Sequence, residues 1–85
     1  MDIYYYGAAR AAAGTAHESV DQEADTLASL LEDLCSTHTG TTGAGTSFAE
    51  VMNICTFLGD GARLDMDTSL ADIERIDVMP PFAGG

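Results

Sequence analysis

The sequence contains no lysine and no tryptophan, and its only bases are Arg10, Arg63 and Arg75. Set against fourteen acids, they leave a net charge of −11. Nucleic acid is therefore excluded as an expected partner, because binding a phosphate backbone needs a cationic patch. A basic protein partner fits, since long-range attraction raises its on-rate; a purely solubilising or salt-adapted surface is the alternative. Without lysine, no lysine of this chain can accept an isopeptide bond. Cysteine is scarce too. Cys35 and Cys55 stand alone, in no metal-type spacing, one on a helical pattern and one in a strand pattern. Both are expected to be small buried hydrophobes. His17 and His38 are isolated, so no metal site is expected. No apolar run approaches bilayer length and no basic-then-apolar leader opens the chain, so no membrane partner is expected and a cytoplasmic location follows by default.

What is present suits a folded body. Eighty-five residues, 46% of them apolar, bound a single domain over 1–85 with one modest core. Met1 to Tyr6 alternates, with Met1, Ile3 and Tyr5 on one face and Tyr4 and Tyr6 on the other, which predicts a strand. Gly7 to Gly14 is alanine-rich but has no apolar stripe of any size, so it reads as a turn between two strands. Thr15 to Val20 then forms a shorter antiparallel strand. Acidic residues from Asp21 to Asp25 lead into a helix capped by Asp25 or Thr26. Its stripe of Leu27, Leu30, Leu31 and Leu34 is core, and Gly40 is the expected terminator.

Thr39 to Ser47 reads as a flexible loop. Its three glycines match neither phosphate-binding fingerprint, and no lysine follows. Ser47 can cap a short helical turn through Phe48, Val51 and Met52. Ile54 to Leu58 is rich in strand formers, Asp60-Gly61 marks a hairpin turn, and Ala62 to Leu64 can start a return strand. Ile76 to Met79 is the last strand. The order predicts an α+β fold, with one main helix on one face of a small mixed sheet and the first and last strands parallel at its centre, because a helix supplies the crossover. That is the β-grasp.

The last strand runs into Met79-Pro80-Pro81-Phe82-Ala83-Gly84-Gly85. The prolines stiffen the approach and the glycines thread where side chains cannot. Residues 80–85 are expected to be a flexible tail that enters another protein's active site. Chance places Gly-Gly at an end in roughly 1 of 200 chains at a glycine frequency of about 7%. Met79, Pro80, Pro81 and Phe82 are candidate partner-binding residues, with Phe57 as a sheet-face contributor whose alternative is plain core. Arg10 is a further docking candidate; a solvated arginine is its alternative. Ala83 and Gly84 are the inserting residues.

These segments carry a resemblance. Tyr5-Tyr6-Gly7-Ala8-Ala9-Arg10 followed by Gly14, then Asp60-Gly61, Thr68 to Asp72, and above all Val78 to Gly85, resemble the ubiquitin-like sulfur carriers, most closely the small subunit of molybdopterin synthase. Ile73 departs from the family's glycine and Met79 from its common aromatic. The resemblance implies a carrier, not an enzyme, with no bound cofactor. A ubiquitin-activating-like adenylyltransferase would use ATP to adenylate Gly85, and a sulfur donor protein would convert it to a thiocarboxylate. The molybdopterin synthase large subunit would then receive the tail, and the sulfur would attack a pterin precursor. A carrier for thiamine, cysteine or tRNA thiolation, a protein modifier, and an interaction domain with an inert tail are the alternatives.

Overall fold

The computed structural model describes residues 1–21 and 25–81. Its elements are β1 (Asp2–Tyr5), α1 (Gly7–Ala13), β2 (His17–Ser19), α2 (Leu27–Thr37), α3 (Phe48–Ile54), β3 (Thr56–Gly59), β4 (Ala62–Arg63) and β5 (Arg75–Met79). The strands form one sheet in the order β2-β1-β5-β3-β4. β1 and β5 are parallel at the centre, pairing Ile3 with Ile76 and Tyr5 with Val78. The other neighbours are antiparallel. This is the expected β-grasp, with three helices among the described residues rather than one main helix.

Strand alternation sorts the sheet into two faces. Ile3, Tyr5, Ile76, Val78 and Phe57 point into a core completed by Leu27, Leu30 and Leu34 of α2, Phe48, Val51 and Met52 of α3, and Leu64 and Leu70. Thr26 caps α2, its side chain accepting from the Ser29 N–H at 3.3 Å. Ser47 caps α3 by accepting from the Glu50 N–H at 3.2 Å. In the hairpin, Asp60 (φ 48°) and Gly61 (φ 89°) both take left-handed backbone, as a two-residue turn between right-twisted strands requires. The Asp60 carboxylate then accepts from the backbone N–H groups of Glu74 and Arg75, tying the hairpin to the start of β5.

Four expectations need correction. Residues 7–13 are a helix, not a turn. The small stripe of Ala9 and Ala12 is fully buried, and small side chains let α1 pack close to its neighbours without a large apolar face. Gly14, at φ 76°, closes it by donating to the Arg10 carbonyl. Ile54 ends α3 instead of opening a strand; β3 begins at Thr56. Cys35 and Cys55 are half-buried free thiols, Cys55 standing at the α3 C-cap rather than in a strand. Finally, α2 ends at Thr37 with His38 as its cap, not at Gly40. Residues 22–24 of the acidic lead-in lie outside the described residues.

Gly40 serves a close approach. A Cβ there would stand 2.7 Å from the Ala12 carbonyl oxygen, a backbone atom of α1 that cannot swing away. Gly40→Ala is expected to cost about 1–3 kcal/mol, the range for overpacking. Gly43→Ala, whose Cβ would meet nothing within 4 Å, is the control. Urea denaturation of the two variants checks this; equal midpoints would remove the close approach as the reason for glycine at 40.

Candidate functional site

β5 is the strand that launches the tail, and its position is fixed from both sides. The Tyr6 backbone N–H donates to the Val78 carbonyl at 3.2 Å, while Met79 pairs with Thr56 of β3. Beyond Met79 the chain leaves through half-buried Pro80 and exposed Pro81. Phe82, Ala83, Gly84 and Gly85, named above as tail-insertion, partner-binding and reacting residues, lie outside the described residues.

The surroundings of the exit are apolar. Among the described residues four large apolar side chains are exposed: Tyr6 (38%), Ile54 (57%), Met66 (48%) and Met79 (39%). Three of the four stand close along the chain to residues of the exit. Tyr6 follows β1 beside Val78, Met79 ends β5, and Ile54 comes two residues before Thr56, the partner of Met79. Beside it, the sheet face opposite the core is mixed, aromatic and charged. Leu58 pairs with Asp77, and Asp77 with Tyr4, in one row across β3, β5 and β1.

Charge on this face is largely neutralised within it. The Arg75 guanidinium lies 3.9 Å over the Tyr4 ring and donates to Asp77 at 3.0 Å and to the Tyr6 hydroxyl at 3.2 Å. Tyr6 in turn donates to Asp77 at 2.8 Å. These partners, Asp77 first and then Tyr6, push the Arg75 pKa above its already high value, so it stays a cation. Tyr4 also stacks on His17, with ring centroids 4.6 Å apart. At the far edge, hydrogen bonds from Ser19 and then His17 hold the Asp2 carboxyl below its ordinary pKa.

Two sequence candidates separate from this patch. Phe57 is a correction: it is 3% exposed and points into the core opposite Val78, so it does not contribute to the open face. Arg10 is exposed in the last turn of α1, with no ion pair among the described residues. Met79, Pro80 and Pro81 do sit together. Tyr6, Leu58 and Ile54 were not singled out from the sequence. The alternation of Tyr4 and Tyr6 away from the core was the available signal for Tyr6; the other two depend on strand register and on where α3 stops.

The remaining reactive groups are held in structural roles. His38 Nε2 lies 2.6 Å from Glu18 Oε2 and its ring stacks on Phe48, joining β2 to the end of α2 and the start of α3. The Tyr5 hydroxyl is buried without a hydrogen-bond partner among the described residues, and burial, then Glu18, raises its pKa. Burial also pushes the Cys55 thiol up to about 11 and the Cys35 thiol in the same direction. Both are therefore protonated near neutral pH and poor nucleophiles. Among the described residues no cluster of His, Cys, Asp and Glu could hold a metal, and no helix is long and apolar enough to cross a membrane.

Comparison with known proteins adds two findings. The model of the ThiS family matches residues 3–85. Among solved structures, the crystal structure of SAMP1 from Haloferax volcanii superposes with a TM-score of 0.69, over 99% of this chain and 97% of that one, at 20% identity. Likeness at that identity speaks for the fold alone, a ubiquitin-like β-grasp. No curated protein matches the sequence.

Proposed function

The chain belongs to the ThiS family of ubiquitin-like sulfur carriers, and from that premise we propose that it carries sulfur on Gly85 for molybdenum cofactor biosynthesis. The observation that supports this reading is the tail itself. A strand held at the sheet centre by neighbours on both sides, with Tyr6 and Met79 exposed at its end, leads into Pro80-Pro81-Phe82-Ala83-Gly84-Gly85.

In the proposed cycle the carboxylate of Gly85 attacks ATP in an adenylyltransferase, releasing pyrophosphate and leaving an acyl-adenylate. Hydrosulfide displaces AMP to give the thiocarboxylate directly; a donor protein's persulfide displaces AMP to give an acyl disulfide, which a second thiol of the donor cleaves, leaving the donor as a disulfide and the sulfur in place of one carboxylate oxygen. The thiocarboxylate is then inserted into the synthase large subunit, where its sulfur attacks the pterin precursor; two rounds build the dithiolene. The chain supplies the nucleophile, and the partner supplies acid-base groups. Enclosure in the partner's channel orients the sulfur and keeps water from it. A cytoplasmic setting, where ATP is available, fits this cycle. The strongly acidic body favours encounter with basic docking surfaces on each partner.

Intact mass tests the carrier role. Incubation with ATP, the adenylyltransferase and a sulfur source is expected to add about 16 Da, the replacement of one oxygen by sulfur. Transfer of that sulfur to a pterin precursor in the presence of the molybdopterin synthase large subunit is the expected second result. Thiocarboxylation without that transfer assigns the chain to another acceptor in thiamine, cysteine or tRNA thiolation, or to protein modification. No mass gain overturns the carrier reading.

A further inference from the structure

An activated terminus is an electrophile, and the first nucleophiles within its reach are those of its own chain. Met79 ends β5, and the six residues after it span at most about 20 Å when fully extended. A tether this short holds a group on the body at an effective concentration on the order of millimolar. Amines, thiolates and imidazoles are the groups that take up an acyl carbon readily, and each type is missing or engaged. Lysine is absent, and the three arginines stay protonated. The Met1 amine donates to the Val20 carbonyl at 3.2 Å. It also lies at the far end of the central strand pair, because Asp2 pairs with Arg75 whereas the tail leaves after Met79. His38 is bonded to Glu18 at 2.6 Å, with 14% of its side chain exposed. His17 stacks on Tyr4 and lies 3.5 Å from the Asp2 carboxylate. Cys55 stands nearest to the exit, one residue before the Met79-paired Thr56, but its thiol is half-buried and pushed up to about 11, so little of it is thiolate near neutral pH. Cys35, on α2, is half-buried and shifted the same way.

Resting on the reading of Gly85 as the activated terminus, we propose that the folded body is insulated against its own activated end: no group of the chain captures the acyl carbon, in the same copy or another, and the acyl group passes only to a nucleophile that a partner supplies. In the capture that is avoided, an amine nitrogen would attack the Gly85 carbonyl carbon. The C–N bond would form, the C–O bond to AMP would break, AMP would leave with the electron pair, and the amine proton would pass to solvent. The amide so made is reopened by no later step of the cycle, so each capture would remove one carrier. The same property sets the product when the end is passed to an amine of another protein: one copy of this chain per amine, with no further copy built on it. Arg63 marks a place where capture would begin. It is exposed on β4, and Leu58 pairs with both Arg63 and Asp77. At about 4.8 Å per strand and 3.3 Å per residue, its Cα stands about 12 Å from that of Met79, inside the span of the tail.

The test prepares the full chain as a Gly85 thioester of a small thiol, holds it at about pH 8.5, where about 1% of an ordinary lysine is free amine, and follows it by intact mass. Arg63→Lys keeps the charge and adds an amine; Arg63→Gln removes the charge and adds none. Thr56→Lys, exposed and opposite Met79, places an amine at the base of the tail. Thermal midpoints of all variants are read beside the masses. We expect the wild type and Arg63→Gln to decay by hydrolysis to the free acid. At least one lysine variant is expected to give, at least about tenfold above the wild type, a product about 18 Da lighter than its free acid, the water lost when an amide closes. An internal amide, an internal thioester or a covalent dimer in the wild type overturns the insulation. So do two folded lysine variants that decay as the wild type does, since the missing amine then protects nothing. The thioester bypasses adenylation, so these outcomes stand apart from the carrier role, which falls on its own test if ATP and the adenylyltransferase leave Gly85 unchanged.

Discussion

Replacing Gly84 by valine is expected to reduce sulfur transfer by at least about a hundredfold while leaving the thermal midpoint of the protein unchanged. The reasoning is geometric. In the proposed cycle the residue before the reacting carboxylate must pass through a channel narrow enough to exclude water, and glycine alone brings no Cβ to its walls. Displacing a reacting group by about 1 Å can cost on the order of 10²-fold, since alignment supplies much of the rate. The body should be indifferent to the change, because β5 is fixed upstream, through Tyr6 and Thr56, before the prolines begin. One residue added after Gly85 should be as damaging, because it moves the carboxylate past the adenylating site. Intact mass after activation and turnover with the large subunit read both variants. An extended protein that is still thiocarboxylated and active would show that Gly85 is not the working group.

The parts of this fold that were legible in the sequence are those whose signals are local. The leucine stripe of α2, its Thr26 cap, the Asp60-Gly61 turn and the alternation of β1 each lie within a few residues, and each stands in the structure as read. The illegible parts arise from contacts between distant segments. α1 buries only Ala9 and Ala12, a stripe too small to register as amphipathic until its neighbours close over it. Ile54 is a good strand former at the end of a short helix, and the Ser47 cap, not its own side chain, decides where that helix sits. The exposed apolar residues Tyr6, Ile54 and Met79 are far apart in sequence, and no window contains them together. The tail is read from sequence alone, since residues 82–85 lie outside the described residues.

Phe57 is where the two readings of a side chain part most sharply, and Phe57→Ala is expected to be the most destabilising single truncation considered. Phe57 is 3% exposed, lies opposite Val78 in the β3–β5 register, and belongs to the same core as Phe48 and Leu64. Removing a buried phenylalanine ring typically costs about 3–5 kcal/mol, as lost transfer energy plus the cavity left behind. For a domain of this size about 1 kcal/mol corresponds to roughly 4–8 °C, so the midpoint should fall by more than about 12 °C. Thermal unfolding measures it directly. Tyr6→Ala and Met79→Ala, on exposed positions of the opposite face, should stay within about 1 kcal/mol of the wild type and lower affinity for the tail-receiving partner instead. A docking role for Phe57 would reverse the pattern, with a small change in midpoint and a large loss of binding. A core role also has a functional consequence. β3 pairs its Thr56, Phe57, Leu58 and Gly59 with Met79, Val78, Asp77 and Ile76 of β5. A cavity behind it loosens the strand that launches the tail, so loss of sulfur transfer in Phe57→Ala should follow the unfolded fraction with temperature. In Gly84→Val the loss should persist, unchanged, at temperatures where the body is fully folded.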